Sequence, residues 1–317
     1  MILYQKKPMT LFSREEIIAG IKEGKSFKKA ELSGINLEAV NLDGGNFAQA
    51  YLRRANLSKA SCQGTDFSEA YLILANLANA NLSKAKLRGA ELNTAYLQSV
   101  NIEKSDATWV NLFGAKINKL QGQNVTLEKA DLREANGSIL NFSGANLAAA
   151  MLDRIDFSEV NFSHANLRKA TGVAAKFSKT IWKQANLEQV DFSQSYFLDV
   201  DFTGANLLAA NFTASSFISA NLQEAELLEV TLKVAKLEKV NLTNASLFAA
   251  NLEGAYLERV NLTGCNLQDA NLENTTLDRV NFSDCNVIGA VFTNALGLTE
   301  EQKKWLLQNG ALNVPVS

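Results

Sequence analysis

Histidine is nearly absent from this sequence, with His164 alone among 317 residues, and proline is almost as scarce, occurring twice. One imidazole leaves little room for His-based catalysis or a His-rich metal centre. The three cysteines, Cys62, Cys265 and Cys285, lack the close pairing of a zinc site and are too few for a disulfide framework. They fit a reducing compartment. No stretch of eighteen apolar residues occurs, so no membrane-spanning helix is expected. The opening Met1–Thr10 places its charges behind a very short apolar stretch, the wrong order for a secretory signal, and the expected location is cytoplasmic. Neither sign of charge dominates: 31 Lys and Arg face 33 Asp and Glu, for a net charge of −2. That balance does not favour a nucleic-acid partner.

What the sequence has instead is a repeat with a period of five. Leu or Phe recurs at nearly every number ending in 2 or 7, as in Leu32, Leu37, Leu42, Phe47, Leu52 and Leu57. Two residues before each lies a small or β-branched residue, such as Ala50, Ala55, Val110, Val160 or Ala205. From Phe27 to Phe292 this makes 54 consecutive pentapeptides without an insertion. Five matches neither the 3.6 of a helix nor the 2 of a simple strand, so each pentapeptide must form one short side of a coil. Charge provides an independent check, because ionised groups are almost never buried unpaired. The 28 acidic and 24 basic residues between 26 and 297 all fall in the three positions of the period that face outward.

Ala55-Asn56-Leu57-Ser58-Lys59 and Ala205-Asn206-Leu207-Leu208-Ala209 resemble the consensus of the pentapeptide-repeat family, Ala-(Asn/Asp)-Leu-x-x. The resemblance implies an all-β fold, a right-handed quadrilateral parallel β-helix with four pentapeptides per coil, and short α-helical caps are expected at both ends. It also suggests a bacterial, cyanobacterial type of protein. The expected organisation is an N-terminal segment with a capping helix over 1–25, a β-helix of about 13–14 coils over 26–297, and a C-terminal capping helix and tail over 298–317. Ser13 and Glu16 form a predicted capping box, and so do Thr299 and Gln302, ahead of Trp305 and Leu306. Some family members pair through their C-terminal end, so the resemblance adds a homodimer through that end.

Residues 20 apart should stack. Phe157, Phe177, Phe197 and Phe217 then form one inner column, and Phe142, Phe162, Trp182 and Phe202 a second. Gly122, Gly137 and Gly172 read as relief of crowding beside these columns. Asn41, Asn81, Asn101 and their successors to Asn281 form an outward column that reads as a ladder of side-chain amides. Cys265 and Cys285, at the small inward position, read as buried thiols, and Cys62 replaces a core Leu. His164 lies at an outward turn position. Ala19 to Ser26 loosely matches a phosphate-binding loop, yet it closes a helix where such a loop would open one.

Outward apolar residues carry the functional signal, because charged residues, Ser and Thr are the default there. Leu208, Leu228 and Phe248 occupy one outward column, with Val234 nearby, and form the primary candidate partner-binding strip. Leu198 with Ile218, and Tyr51 with Tyr71, are secondary candidates. Glu238, Glu258 and Asp278 stack beside Lys239, Arg259 and Arg279, which reads as a salt-laced face. The function expected is a non-enzymatic protein-interaction module or regulator, with no catalytic residue, cofactor or metal assigned and the partner protein unidentified. The alternative is a DNA mimic that binds DNA gyrase, as one branch of the resembling family does. That reading needs a strongly acidic face. Here the side built on Leu37, Leu57 and Leu77 holds 7 acids and 9 bases, and the most acidic side, on Leu32, Leu52 and Leu72, holds 8 and 5.

Overall fold

The computed structural model describes residues 12–315. Met1–Thr10, on which the signal-peptide reading rests, lies outside them, as do the last two residues of the tail. The chain divides after Asn141 into two compact units.

In the first unit, helix α1 (Arg14–Lys22) opens on the expected capping box: Ser13 Oγ accepts from Glu16 N at 3.1 Å, and Glu16 Oε2 accepts from Ser13 N at 2.7 Å. It closes at Gly24, whose φ of +70° permits Lys25 N to reach Gly20 O (2.7 Å) and Gly24 N to reach Ile21 O (3.1 Å). Ile17 is buried beneath it. A parallel 20-residue register then runs from the bridge Ser26↔Asn46 to Gln121↔Asn141, and strand β1 (Asn136–Asn141) ends the unit.

The second unit keeps the same register from Asn146↔Asn166 to Thr276↔Leu296. One of its four sides consists of regular strands: β2 (Asp156–Asn161), β3 (Lys176–Ser178), β4 (Tyr196–Leu198), β5 (Ser216–Ile218), β6 (Lys236–Glu238), β7 (Tyr256–Glu258) and β8 (Thr276–Asp278). They pair parallel in sequence order, each residue with the one 20 later. Helix α2 (Glu300–Gln308) carries the second expected capping box, and Gln302 Nε2 donates to Val280 O (2.8 Å), covering a carbonyl of the terminal coil. Beyond it, Leu312 N donates to Ala290 O and Leu312 O accepts from Phe292 N, adding one further rung.

Hydrogen-bond accounting explains the five-residue consensus. In Ala205–Ala209 every N–H has a partner. Ala205 N closes the turn on Phe202 O (2.9 Å); Asn206 N reaches back one coil to Ala185 O (3.0 Å); Leu207 N and Ala209 N reach forward to Glu226 O (2.7 Å) and Leu228 O (2.8 Å). The fifth, Leu208 N, points where no backbone acceptor lies, and Asn206 Oδ1 takes it at 3.0 Å. Asn or Asp before the central Leu thus completes the backbone. Its amide also serves the predicted ladder, as Asn241 Nδ2 donates to Asn221 Oδ1 at 3.0 Å. The fifth residue of each pentapeptide turns the corner in the left-handed region, as at Ala209 (φ +52°).

Inside, both predicted aromatic columns form within the second unit. Phe177, Phe197 and Phe217 stack with centroids 5.3 and 4.7 Å apart, and Phe162, Trp182 and Phe202 with 4.2 and 5.6 Å. A Cβ on Gly172 would collide with the Phe192 ring, and one on Gly137 would meet Ile117 Cγ1 at 2.8 Å, so both glycines do relieve crowding. Among the described residues no charged side chain is buried.

Candidate functional site

Leu208, Leu228 and Phe248 stand on successive rungs of one side, because Ala209 N bonds Leu228 O (2.8 Å) and Glu229 N bonds Phe248 O (2.9 Å). Each is half-buried, since neighbours one rung away cover part of every side chain. The strip is therefore less exposed than a row of free outward side chains. The same column continues through Gln268 to Ile288, which is 60% exposed and was not singled out in the sequence. Val234, also 60% exposed, sits at the corner of the next side, across from Gly254. Leu198 and Ile218 pair directly between β4 and β5 on the opposite side and are half-buried.

Tyr51 and Tyr71 lie in the first unit with rings stacked at 5.0 Å and 5°. They are 46% and 41% exposed. Trp109, absent from the sequence-based candidates, is 49% exposed between two cations: the Arg88 guanidinium lies 4.3 Å from its ring centre and Lys129 Nζ 5.4 Å. Its signal was legible as an aromatic at a corner position where small or polar residues are usual.

The acid and base columns form as expected. Glu238, Glu258 and Asp278 are in register across β6, β7 and β8. Arg279 bridges Asp278 (2.7 Å) and Glu258 (3.4 Å), Lys236 reaches Glu238 at 3.1 Å, and Lys239 reaches it at 3.5 Å. The Lys236 ammonium holds the Glu238 carboxyl below its ordinary range. This side is a neutralised lattice.

All three cysteines are buried and free. Cys265 Sγ donates to Leu242 O and Cys285 Sγ to Leu262 O, each one coil back, so the two stacked thiols point at carbonyls and not at each other. Burial pushes the Cys62 and Cys265 thiols far up, and that of Cys285 to about 12. His164 is exposed at a corner with φ +58°. The Ala19–Ser26 segment closes α1 and packs through Gly20 on Phe27, a setting without the strand-to-helix turn of a phosphate loop. At the C-terminal end, Trp305 is half-buried beside Gln302, Val280 and Phe282 around a cleft of about 230 Å³. Leu307 on α2 is 49% exposed. No helix among the described residues is long and apolar enough to cross a membrane.

Comparison with known proteins adds the family. No curated protein matches the chain. Among solved structures it is similar to QnrB1, a plasmid-mediated fluoroquinolone resistance protein, in a trypsin-treated form. Identity is 18%, over 73% of this chain and 97% of that one, with a TM-score of 0.43. It is also similar to HetL, a pentapeptide repeat protein involved in heterocyst differentiation regulation from the cyanobacterium Nostoc sp. strain PCC 7120. There the identity is 24%, the coverage 89% and 97%, and the TM-score 0.20. A third is a pentapeptide repeat protein from the Arabidopsis thaliana thylakoid lumen, 28% identical over 42% of this chain and 77% of that one, with a TM-score of 0.23. The profile of pentapeptide repeats matches residues 35–72, 75–114, 141–171, 173–207, 195–233, 225–264 and 255–294. With most of its length matched, and with its side chains and backbone meeting the five-residue rule, the chain belongs to the pentapeptide repeat family.

Proposed function

We propose that this protein is a non-enzymatic interaction module of the cytoplasm that holds a partner protein on the strip of Leu208, Leu228 and Phe248. The organisation proposed with it is a capping segment over 1–25, the repeat over 26–297 and a capping tail over 298–317. The observation that carries the reading is three large apolar side chains on consecutive rungs of one side, with no charge between them in their column. Rungs about 4.8 Å apart hold these side chains in fixed spacing, so a partner meets a preorganised surface and little ordering entropy opposes binding. Val234 extends the contact around the corner, while Leu198 with Ile218 and Tyr51 with Tyr71 are subsidiary contacts. A DNA mimic directed at gyrase would need a continuous acidic face, and the side of β6–β8 instead alternates acids with Lys239, Arg259 and Arg279.

The test compares wild type with a Leu228→Asp/Phe248→Asp variant as baits in native lysate, reading co-purified proteins by mass spectrometry. Both sites face outward, so circular dichroism should show an unchanged fold. A protein held by wild type and lost by the folded variant supports the strip. An identical set of partners rejects it, and gyrase among them would revive the alternative. Self-association through the C-terminal end belongs to the same proposal: sedimentation should give a dimer that Leu307→Asp converts to monomer, and a wild-type monomer at all concentrations rejects it.

A further inference from the structure

A second feature lies in the first unit and is independent of the apolar strip. On the side that carries Asn56, Asn76, Tyr96 and Lys116 on successive rungs, the surface dips into a groove of about 430 Å³. Asn76 and Tyr96 lie along its middle, with Leu74 and Arg54 at the corner on one flank and Ala78 and Gln98 on the other. The dip has a sequence cause: the short Asn76 and Ala78 leave space between the bulkier Leu74 at the corner and Tyr96 on the next rung. The volume is in the range of sites that hold small ligands or peptide side chains.

Its electrostatics are one-sided. Arg54 and Lys116 stand at opposite ends, and no carboxylate lines the groove. Neither cation makes an ion pair among the described residues; Lys116 Nζ sits 5.3 Å from the centre of the Tyr96 ring, which orients it toward the groove's end. The cavity beside α1 also carries two cations, Arg14 and Lys22, but holds Asp43 with them, whereas this groove sets two cations around a concavity that no carboxylate lines. The Gln98 side chain at the rim makes no hydrogen bond among the described residues, and Leu74 and Ala78 offer apolar surface on the two flanks between the charges.

Spacing selects the ligand. Three rungs separate the two ends, roughly 14 Å at the usual inter-strand distance. A nucleic-acid strand carries a charge about every 3.4 Å, far denser than this pair of cations, and Lys116 already occupies the Tyr96 ring on which a base would stack. An extended peptide rises about 3.3 Å per residue, so four residues span the distance. We propose that this groove binds an extended acidic peptide segment with two carboxylates four residues apart, an aliphatic side chain between them resting on Leu74 and Ala78.

The test is fluorescence anisotropy of the full chain with fluorescein-labelled peptides in which two Glu flank one to six Ala or Leu residues. Binding should be tightest with three intervening residues and weaken about fivefold for each Glu replaced by Gln. Arg54→Gln and Lys116→Gln should each cause a similar loss. Ala78→Trp should abolish binding with the melting temperature unchanged. The peptide comparisons need no variant, so they decide even if one variant misfolds. Equal binding of Glu and Gln peptides, indifference to spacing, full binding by folded Ala78→Trp, or no binding across the series overturns the proposal. Tighter binding of a single-stranded oligonucleotide at the same groove would reassign it to nucleic acid.

Discussion

Truncating Phe197 probes whether the aromatic interior is packed as rings or is only apolar filler. Phe197 is fully buried and touches five other rings: Phe177 and Phe217 stack on it at 5.3 and 4.7 Å, while Phe192, Phe202 and Phe212 meet it edge-on at 5.8, 5.7 and 5.7 Å. Phe197→Ala removes the burial and leaves a cavity, at a cost of about 3–5 kcal/mol. Phe197→Leu keeps most of the apolar volume and removes only the ring geometry. Each aromatic pair is worth about 0.5–1.5 kcal/mol beyond area. Neighbouring contacts do not add, and the loss for Leu should be about 1–2 kcal/mol. The assay is equilibrium urea unfolding followed by circular dichroism, joined to hydrogen exchange because a repeat array need not unfold in one step. Exchange should accelerate most in the coils bearing Phe177, Phe197 and Phe217. A Leu variant as stable as wild type would refute the reasoning.

Three further outcomes follow from the same structure. Gly172→Ala should destabilise by about 1–3 kcal/mol in urea melts, since its Cβ meets the Phe192 ring, and most of that cost should vanish beside Phe192→Leu. Cys62, Cys265 and Cys285 should resist iodoacetamide at pH 8 in the native protein and all react in denaturant, as read by intact mass; rapid native labelling would contradict their burial. Burial opposes ionisation of Asp131, but its bonds to Arg133 (2.7 and 2.9 Å) outweigh that and hold its carboxyl below the ordinary value. A depressed carboxylate lends stability above its unfolded pKa, and that stability is lost as pH falls through its folded one. Arg133→Gln should therefore raise the Asp131 titration in NMR and destabilise at pH 7 but not at pH 2; an unmoved titration would contradict the pairing.

Register, inward positions, caps and aromatic columns were all legible in the sequence, because a period of five locked to a coil of 20 turns residue numbers into neighbours. Phe177 over Phe197 needed only subtraction. Depth was not legible. Leu208 and Phe248 share an outward column, yet how far the next rung shades each depends on rotamers that no periodicity encodes. The groove at Ala78 depends on the contrast between the short Asn76 and Ala78 and the bulkier Leu74 and Tyr96, and no single column displays it. Trp109 lies between these cases: its corner position and Lys129 one rung on were readable by subtraction, whereas the Arg88 guanidinium reaching its ring from the neighbouring column was not. The role of Asn206 in capturing Leu208 N was likewise hidden, since the ladder explains an Asn column without saying why Asp serves equally well, as Asp201 does for Thr203 N at 3.0 Å.

The central claim, that one side of the second unit holds a partner, is tested most directly by photocrosslinking in the native cell. Benzoylphenylalanine would be placed singly at Leu208, Leu228 and Phe248, and at the equally half-buried outward positions Ser193 and Thr203 on two other sides. The account predicts one discrete adduct, of the same mass at all three strip positions and missing from both controls. Adducts of equal yield on every side, or none from the strip, would contradict it.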